Sequence, residues 1–342
     1  MPTGHHPRAA SRSRVPGKSA ARAATGCLIA LALGLGLLTG CASGTAATAT
    51  GVAAAGGGTS SSGSSTQTAI PTEDVVSSVH TDAALNAELP AAIRTRGTLV
   101  LGTSRATGTS GLPHAGQTPD GRTVGLDVDL RDAVAKVLGV RWDIQYGTFP
   151  TVIPGVQNGR FDVGQDNFGV TRAREQVVDF ATYLDDGQSF LGSRTLTTDK
   201  VNTLTDLCGY TVATSPGSTF QQILTAGASR CAAAGRSPYH VQYFTDTAPI
   251  FLGLANGKVD IYFGPTLSLT YDARHLPGTK YLGQISTTPV GFVTAKNSPL
   301  AKALGDAVNQ LIADGAYARI FAKWGVPGTA LSTSLVDPPA AF

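Results

Sequence analysis

Between Gly97 and Val326, short apolar runs alternate with stretches whose apolar residues recur every three or four positions. The first pattern has the period of strands and the second that of amphipathic helices, so the chain predicts an α/β fold with largely parallel sheets. Thr98 to Leu101 predicts an opening strand. Leu126, Leu130, Val134, Val137 and Leu138 mark one helical face that stops at Gly139, and Val140, Trp142, Ile144 and Tyr146 then alternate as a half-buried strand. Thr148 to Gln157 predicts a short helix halted by Asn158-Gly159, ahead of a strand at Phe161 to Val163. A second series opens with a strand at Tyr210 to Ala213 and turns through Ser-Pro-Gly-Ser into a helix carrying Phe220, Ile223 and Leu224. It continues with a strand at Val241 to Phe244, a helix at Ala248 to Ala255 and a strand at Val259 to Phe263. Val290 to Ala295 predicts a last strand. Ser298-Pro299 has the form of a helix start before the apolar face of Leu300, Leu304, Val308, Leu311 and Ile312, and Ile320, Phe321 and Trp324 extend the packing surface.

The two series resemble each other. Pro154 to Val163 and Leu252 to Ile261 both read as helix end, Asn-Gly, basic residue, apolar residue, Asp and strand start, 98 residues apart. That spacing is too long for a solenoid and suits two similar lobes.

Composition changes the picture mainly at the N-terminus. Arg8, Arg12, Arg14, Lys18 and Arg22 form a basic region without acids, followed by an apolar run from Cys27 to Leu38 that is too short for a permanent membrane span. Leu38-Thr39-Gly40-Cys41 resembles the bacterial lipobox, which implies that Cys41 is acylated, heads the mature chain and anchors it to the plasma membrane from outside. Ala42 to about Gln67 is uncharged Gly, Ser, Thr and Ala, the composition of a flexible tether, and a short helix or loop is expected from Pro71 to Leu89. The first forty residues hold five of the 26 Lys and Arg and no acid, leaving 21 basic residues against 23 acidic. The mature chain is thus slightly acidic and shows no basic stripe for nucleic acid. The expected division is a signal peptide at 1–40, a linker at 41–87, one lobe from 88–188 with 297–327, a second lobe at 189–296, and a tail at 328–342.

Of the four cysteines, Cys208 and Cys231 remain after Cys41. In an exported protein such a pair is most simply a disulfide, whose loop closure contributes roughly 3 kcal/mol. A metal site is the alternative, although no Cys or His partner pair lies near in sequence. No metal or cofactor is expected.

Gly97 to Thr103, Val124 to Leu130, Asn158 to Val163, Thr171 to Arg174, Val178-Asp179-Phe180, the Asn-Gly-Lys-Val-Asp run at Asn256, Asp314 to Tyr317 and Lys323-Trp324-Gly325 together resemble the family 3 extracellular solute-binding proteins. The resemblance implies a type II periplasmic-binding-protein-like fold, two α/β lobes joined by two crossing segments, with a small polar, carboxylate-bearing solute between them. It also implies a monomer that delivers this solute to an ABC permease, and a second-lobe bridge like that of Cys208 and Cys231. Hinges are expected near Asp185 to Gly192 and near Val290 to Lys296. Arg174 matches the family's carboxylate-binding arginine, whose planar fork meets both oxygens. Gly217, Ser218 and Thr219 match a segment that grips the same carboxylate from the second lobe with backbone N–H groups and hydroxyls. Thr103 ends the first strand at the analogous place, and Arg105 near it suits a second acidic group.

The departures bear on the ligand. Gly169 stands where the family carries a hydroxyl, so only its backbone can donate, and Asp166 and Asn167 replace small or hydroxyl residues. Pro265 occupies the place of the aspartate that holds the ligand's ammonium group. Asp166 can supply that carboxylate from the other lobe; otherwise the ligand lacks an ammonium group. Two further roles remain open, a ligand-sensing module for a membrane partner and a dehydratase-like enzyme on the same fold. His80, His114, His240 and His275 lie in no catalytic or metal-binding motif and no P-loop is present, so binding is expected ahead of catalysis.

Overall fold

The computed structural model describes residues 70–340 and residue 342. The basic leader, Cys41 and the tether composition lie outside the described residues.

Two short helices, α1 (Ala83–Glu88) and α2 (Ala91–Arg96), lead into β1 (Thr98–Ser104), and a small hairpin of β2 (Gly116–Gln117) and β3 (Thr123–Val124) precedes α3 (Leu126–Leu138). There follow β4 (Arg141–Gly147), α4 (Phe149–Gln157), β5 (Val163–Gly169), α5 (Arg172–Glu175) and the long β6 (Val178–Ser193). The second lobe contributes β7 (Thr211–Thr214), α6 (Thr219–Ala226), α7 (Arg230–Ala233), β8 (His240–Tyr243), α8 (Thr247–Asn256), β9 (Ile261–Pro265) and α9 (Thr266–His275). The chain returns through β10 (Thr279–Ala295) to α10 (Leu300–Ala313) and α11 (Ala316–Lys323).

The strands run in the order β4-β1-β5-β10-β6-β9-β7-β8. The outer pairs are parallel, as βαβ connections require, while β6 and β10 form an antiparallel ribbon through the middle. This ribbon makes the protein two-lobed. Val290 to Thr294 of β10 pairs with β5, whereas Gln188 to Gly192 of β6 pairs with β9. Between these pairings no third strand lies beside the ribbon among the described residues, so the crossing lies at Asp185 to Gly187 opposite Thr287 to Pro289. The segment Val290 to Ala295, expected near the second hinge, therefore sits inside the first lobe, and the second crossing precedes it. Register shifts on both sides of Ser286 to Val290 bend the ribbon there, and Pro289 has no N–H to donate.

The sequence repeat is a bonding pattern. In the first lobe Asp162 accepts the Val100 N–H at 2.7 Å while its own N–H reaches Val100 O at 2.9 Å; in the second, Asp260 accepts from Thr211 at 2.8 Å and donates back at 3.0 Å. Asn158 and Asn256 each accept the N–H two residues on at 3.1 Å. Gly159 (φ 76°) and Gly257 (φ 74°) take the left-handed conformation that ends each helix. Each lobe thus ties a helix exit to the start of the first strand of its parallel set.

A large apolar cluster around Leu99, Leu130, Leu304 and Phe321 fills the first lobe. A smaller one around Phe190, Val212, Leu224 and Phe263 fills the second, and it includes Cys208 and Cys231, which are disulfide-bonded. Part of the tail segment packs on the first lobe. Leu335 and Thr182 exchange backbone and hydroxyl hydrogen bonds, and Val336 bridges Ala181, so residues 334–337 line the first-lobe edge of β6.

Candidate functional site

The carboxyl ends of β1 and β5 face α6, α8 and α9 across a cavity of about 210 Å³. Such strand ends are where α/β sheets present ligands, because side chains and turns converge there unobstructed by the next helix. Thr103, Arg105, Asp166, Asn167, Arg174, Ser218 and Thr219 all line this cavity, and Gly169 does not.

Thr171 caps the single turn α5 by accepting the Arg174 N–H at 3.3 Å, and this turn aims the Arg174 side chain inward. The guanidinium is buried, with Phe149 and Phe168 against it. It donates to Gly169 O at 2.8 Å in the first lobe and to Gly217 O at 3.0 Å in the second. No carboxylate pairs with it among the described residues, and burial lowers its pKa to about 10, which leaves it charged at neutral pH. Arg172, two residues earlier, is exposed.

The other expected residues divide by whether their polar atoms are already engaged. Asp166 accepts the Ser104 hydroxyl at 2.7 Å and the Ser104 N–H at 3.2 Å; burial outweighs both bonds and raises its pKa to about 6. The Ser218 hydroxyl is committed to its own helix, donating to Ser215 O at 2.6 Å and accepting from Gln221 N at 3.1 Å. Its expected role as a ligand donor gives way to capping α6. Thr219 is buried and lines the cavity, and its hydroxyl makes no hydrogen bond among the described residues. Thr103 reaches only Ser104 O, at 3.4 Å. Arg105 is exposed and stacks over Tyr146 at 4.0 Å on the cavity rim. Gly169 lends its carbonyl to Arg174. A Cβ there would stand 3.0 Å from the Thr288 methyl and 3.3 Å from the Thr219 methyl, so a side chain would need both to shift by a few tenths of an ångström. Pro265 lines the wall as the cap position of α9 and carries no charge.

Several site residues escaped the sequence reading. Asp186, at the crossing, accepts from His114 at 3.0 Å, Asn167 at 3.0 Å, Gly187 N at 2.7 Å and Leu267 N at 3.1 Å, so one carboxylate joins both lobes at the hinge. His114 also meets Asp127 at 3.4 Å. Burial pulls its pKa down, but the two carboxylates outweigh burial and raise it to about 10, so it is an imidazolium. Asp127, Arg131, Gln165 and Asp272 also line the cavity. Asp272 had a visible signal: it falls on the face of α9 shared by Leu269 and Ser268, where a charge is out of place. His114 and Asp186 had none, because their meeting depends on how the loop before β2 folds onto the ribbon.

The buried side-chain atoms without a hydrogen-bond partner among the described residues are Arg131 Nε, Gln165 Oε1, Asn167 Oδ1 and both oxygens of Asp272. All four residues line this one cavity. Unpartnered polar atoms are unfavourable in a folded interior, and gathered on one wall they describe a surface made to bond something polar.

Residues 106–327 match the family described as bacterial extracellular solute-binding proteins, family 3. An arginine-binding protein of Corynebacterium glutamicum is 26% identical over 258 residues, covering 74% of this chain and 82% of that one. The structure of an ancestral arginine-binding protein bound to arginine superposes with a TM-score of 0.59 at 31% identity, covering 67% of this chain and 98% of the other. A cyclohexadienyl dehydratase of Pseudomonas aeruginosa is 22% identical over 170 residues, 48% of this chain and 59% of the enzyme.

Proposed function

The chain belongs to the bacterial extracellular solute-binding proteins, family 3, and from that membership we propose that its cleft captures an amino acid for the permease of an ABC importer. The observation that carries this reading is the gathering of every unpartnered buried polar side chain among the described residues on one interlobe cavity, beside a buried arginine with no carboxylate of its own. The arginine-binding relatives support the ligand class. The ligand carboxylate meets the N–H groups of Arg174 not used by Gly169 and Gly217, together with the Thr219 hydroxyl. Contacts to both lobes favour closure about the crossing, and the closed form docks on the permease. Cys41 carries a lipid anchor that keeps the protein at the outer face of the plasma membrane; Cys41→Ala should move it from the membrane fraction to the medium.

The test is thermal unfolding of the purified protein against amino acids, dicarboxylates and small sugars, since a ligand of the folded state alone raises the melting temperature. At least one amino acid should do so, and Arg174→Ala should weaken its binding about 100-fold or more, because charge-assisted hydrogen bonds are lost from a buried site. Stabilisation only by sugars, or stabilisation indifferent to Arg174→Ala, would sink the reading.

A second reading is catalytic. Asp166 and Asp272, both in the cavity, are raised to about 6 and about 9 by burial, the range of a general acid at neutral pH. Binding without turnover is the expected result; dehydration of a cyclohexadienyl substrate, followed by its absorbance, would favour the enzyme instead.

A further inference from the structure

Asp272 is the carboxyl that the cleft leaves unsatisfied. It is 1% exposed, it lines the cavity from α9, and neither oxygen has a hydrogen-bond partner. The other acids of the wall are engaged: Asp166 by Ser104, and Asp127 by His114 and Tyr183. Asp246 is exposed at the start of α8. No cation pairs with Asp272 among the described residues. Near it stand the phenols of Tyr262 from β9 and Tyr271 on its own helix. Asp186 of β6 binds the first turn of the same helix through Leu267 N, and His114, Asp127 and Arg131 stand on the first-lobe wall. Burial raises the Asp272 pKa to about 9, so at neutral pH this side chain is a neutral acid. One turn earlier, Ser268 donates to Gly111 O at 3.1 Å across the cleft, so this face of α9 closes against the first lobe.

We propose that Asp272 is the cation-binding residue of the cleft, receiving a charged ammonium or guanidinium group of the amino acid whose carboxylate rests on Arg174. The inference rests on the proposed function and deepens it. Arg174 and Asp272 line one cavity from different lobes, so a zwitterion engages both lobes at once, whereas a dicarboxylate or a neutral sugar leaves Asp272 unanswered. As the cation enters, the Asp272 carboxyl loses its proton to solvent and the ligand's N–H groups donate to the carboxylate oxygens. One positive charge replaces another, and binding releases about one proton at pH 7. The role is absent from Pro265, where a carboxylate was expected, and lies seven residues further on.

Calorimetric titration of the full chain and of Asp272→Asn at pH 7, in two buffers of different ionisation enthalpy, measures affinity and proton release together. Three probes separate the cations: L-arginine carries both, L-glutamine only the α-ammonium, and the 2-hydroxy analogue of arginine only the guanidinium. The wild type should release about one proton per ligand bound. The near-isosteric Asp272→Asn should weaken binding of the cation it recognises about 10- to 100-fold and abolish the release, while keeping its melting temperature. Losses with arginine and glutamine assign the α-ammonium; losses with arginine and its hydroxy analogue assign the guanidinium. Unchanged affinity and proton count in Asp272→Asn overturn the inference alone. Binding of none of the three by the wild type overturns the proposed function, and this inference with it.

Discussion

The two walls of the cleft are built differently. The first lobe presents a connected polar network: Asp166 is held by Ser104, Asp127 and Asp186 share His114, Asn167 leans on Asp186, and Arg174 is fixed by Thr171, Gly169 and two phenylalanines. The second lobe presents hydroxyls, one of them spent on helix capping, and a solitary buried acid. A preorganised wall loses little freedom when a ligand arrives, so the first lobe is suited to take the solute first. The second-lobe wall is joined to the first by the bonds of Arg174 to Gly217 O and of Ser268 to Gly111 O. The crossing sits where the two meet, with Asp186 bonded to both lobes.

The first-lobe network depends most on His114, which joins Asp127 and Asp186. His114→Leu leaves Asp127 and Asp186 buried without their shared cation and should destabilise the protein by about 3–5 kcal/mol, measured by denaturant unfolding. His114 has a folded pKa raised from 6.5 to about 10. Its stabilisation is therefore fully present below pH 6.5 and declines as pH climbs through 10, and the gap between wild type and variant should shrink over that window. An equal gap from pH 6 to 10 would show that the network does not depend on the imidazolium. A smaller effect should touch the second lobe alone. Replacing Cys208 and Cys231 by serine removes a closed loop with 23 residues of separation and should lower stability by about 3 kcal/mol. Hydrogen exchange should rise around Val212 and Ile261 while Leu99 and Leu130 keep their protection. Loss of protection in both lobes together would mean that they unfold as one unit and that the contrast between them is confined to the cleft.

Much of the molecule was written locally. The helix of Leu126 to Leu138 and its stop at Gly139, the two Asn-Gly helix ends and the parallel strand set were legible because a periodic face and a left-handed glycine are properties of a few neighbouring residues. The arginine turn was legible as well, since Thr171 and Arg174 lie within one segment. The lengths of β6 and β10 were not: their sixteen and seventeen residues become one ribbon only by pairing across about a hundred positions of sequence. That pairing, and nothing nearer in the chain, moves the second crossing ahead of Val290 and brings His114, Asn167 and Leu267 to Asp186. Ser218 shows the same division in small. Its residue type marks the start of a helix equally for capping or for ligand binding, and only the positions of Ser215 and Gln221 assign the hydroxyl to the cap. By itself the sequence determined the lobes, their repeat and the residue types of the cleft, because those follow from local periodicity and chemistry. Tertiary structure decided which polar groups satisfy one another and which, like Asp272, are left facing the cavity, because a hydrogen bond is settled by ångström distances between segments that sequence order keeps far apart.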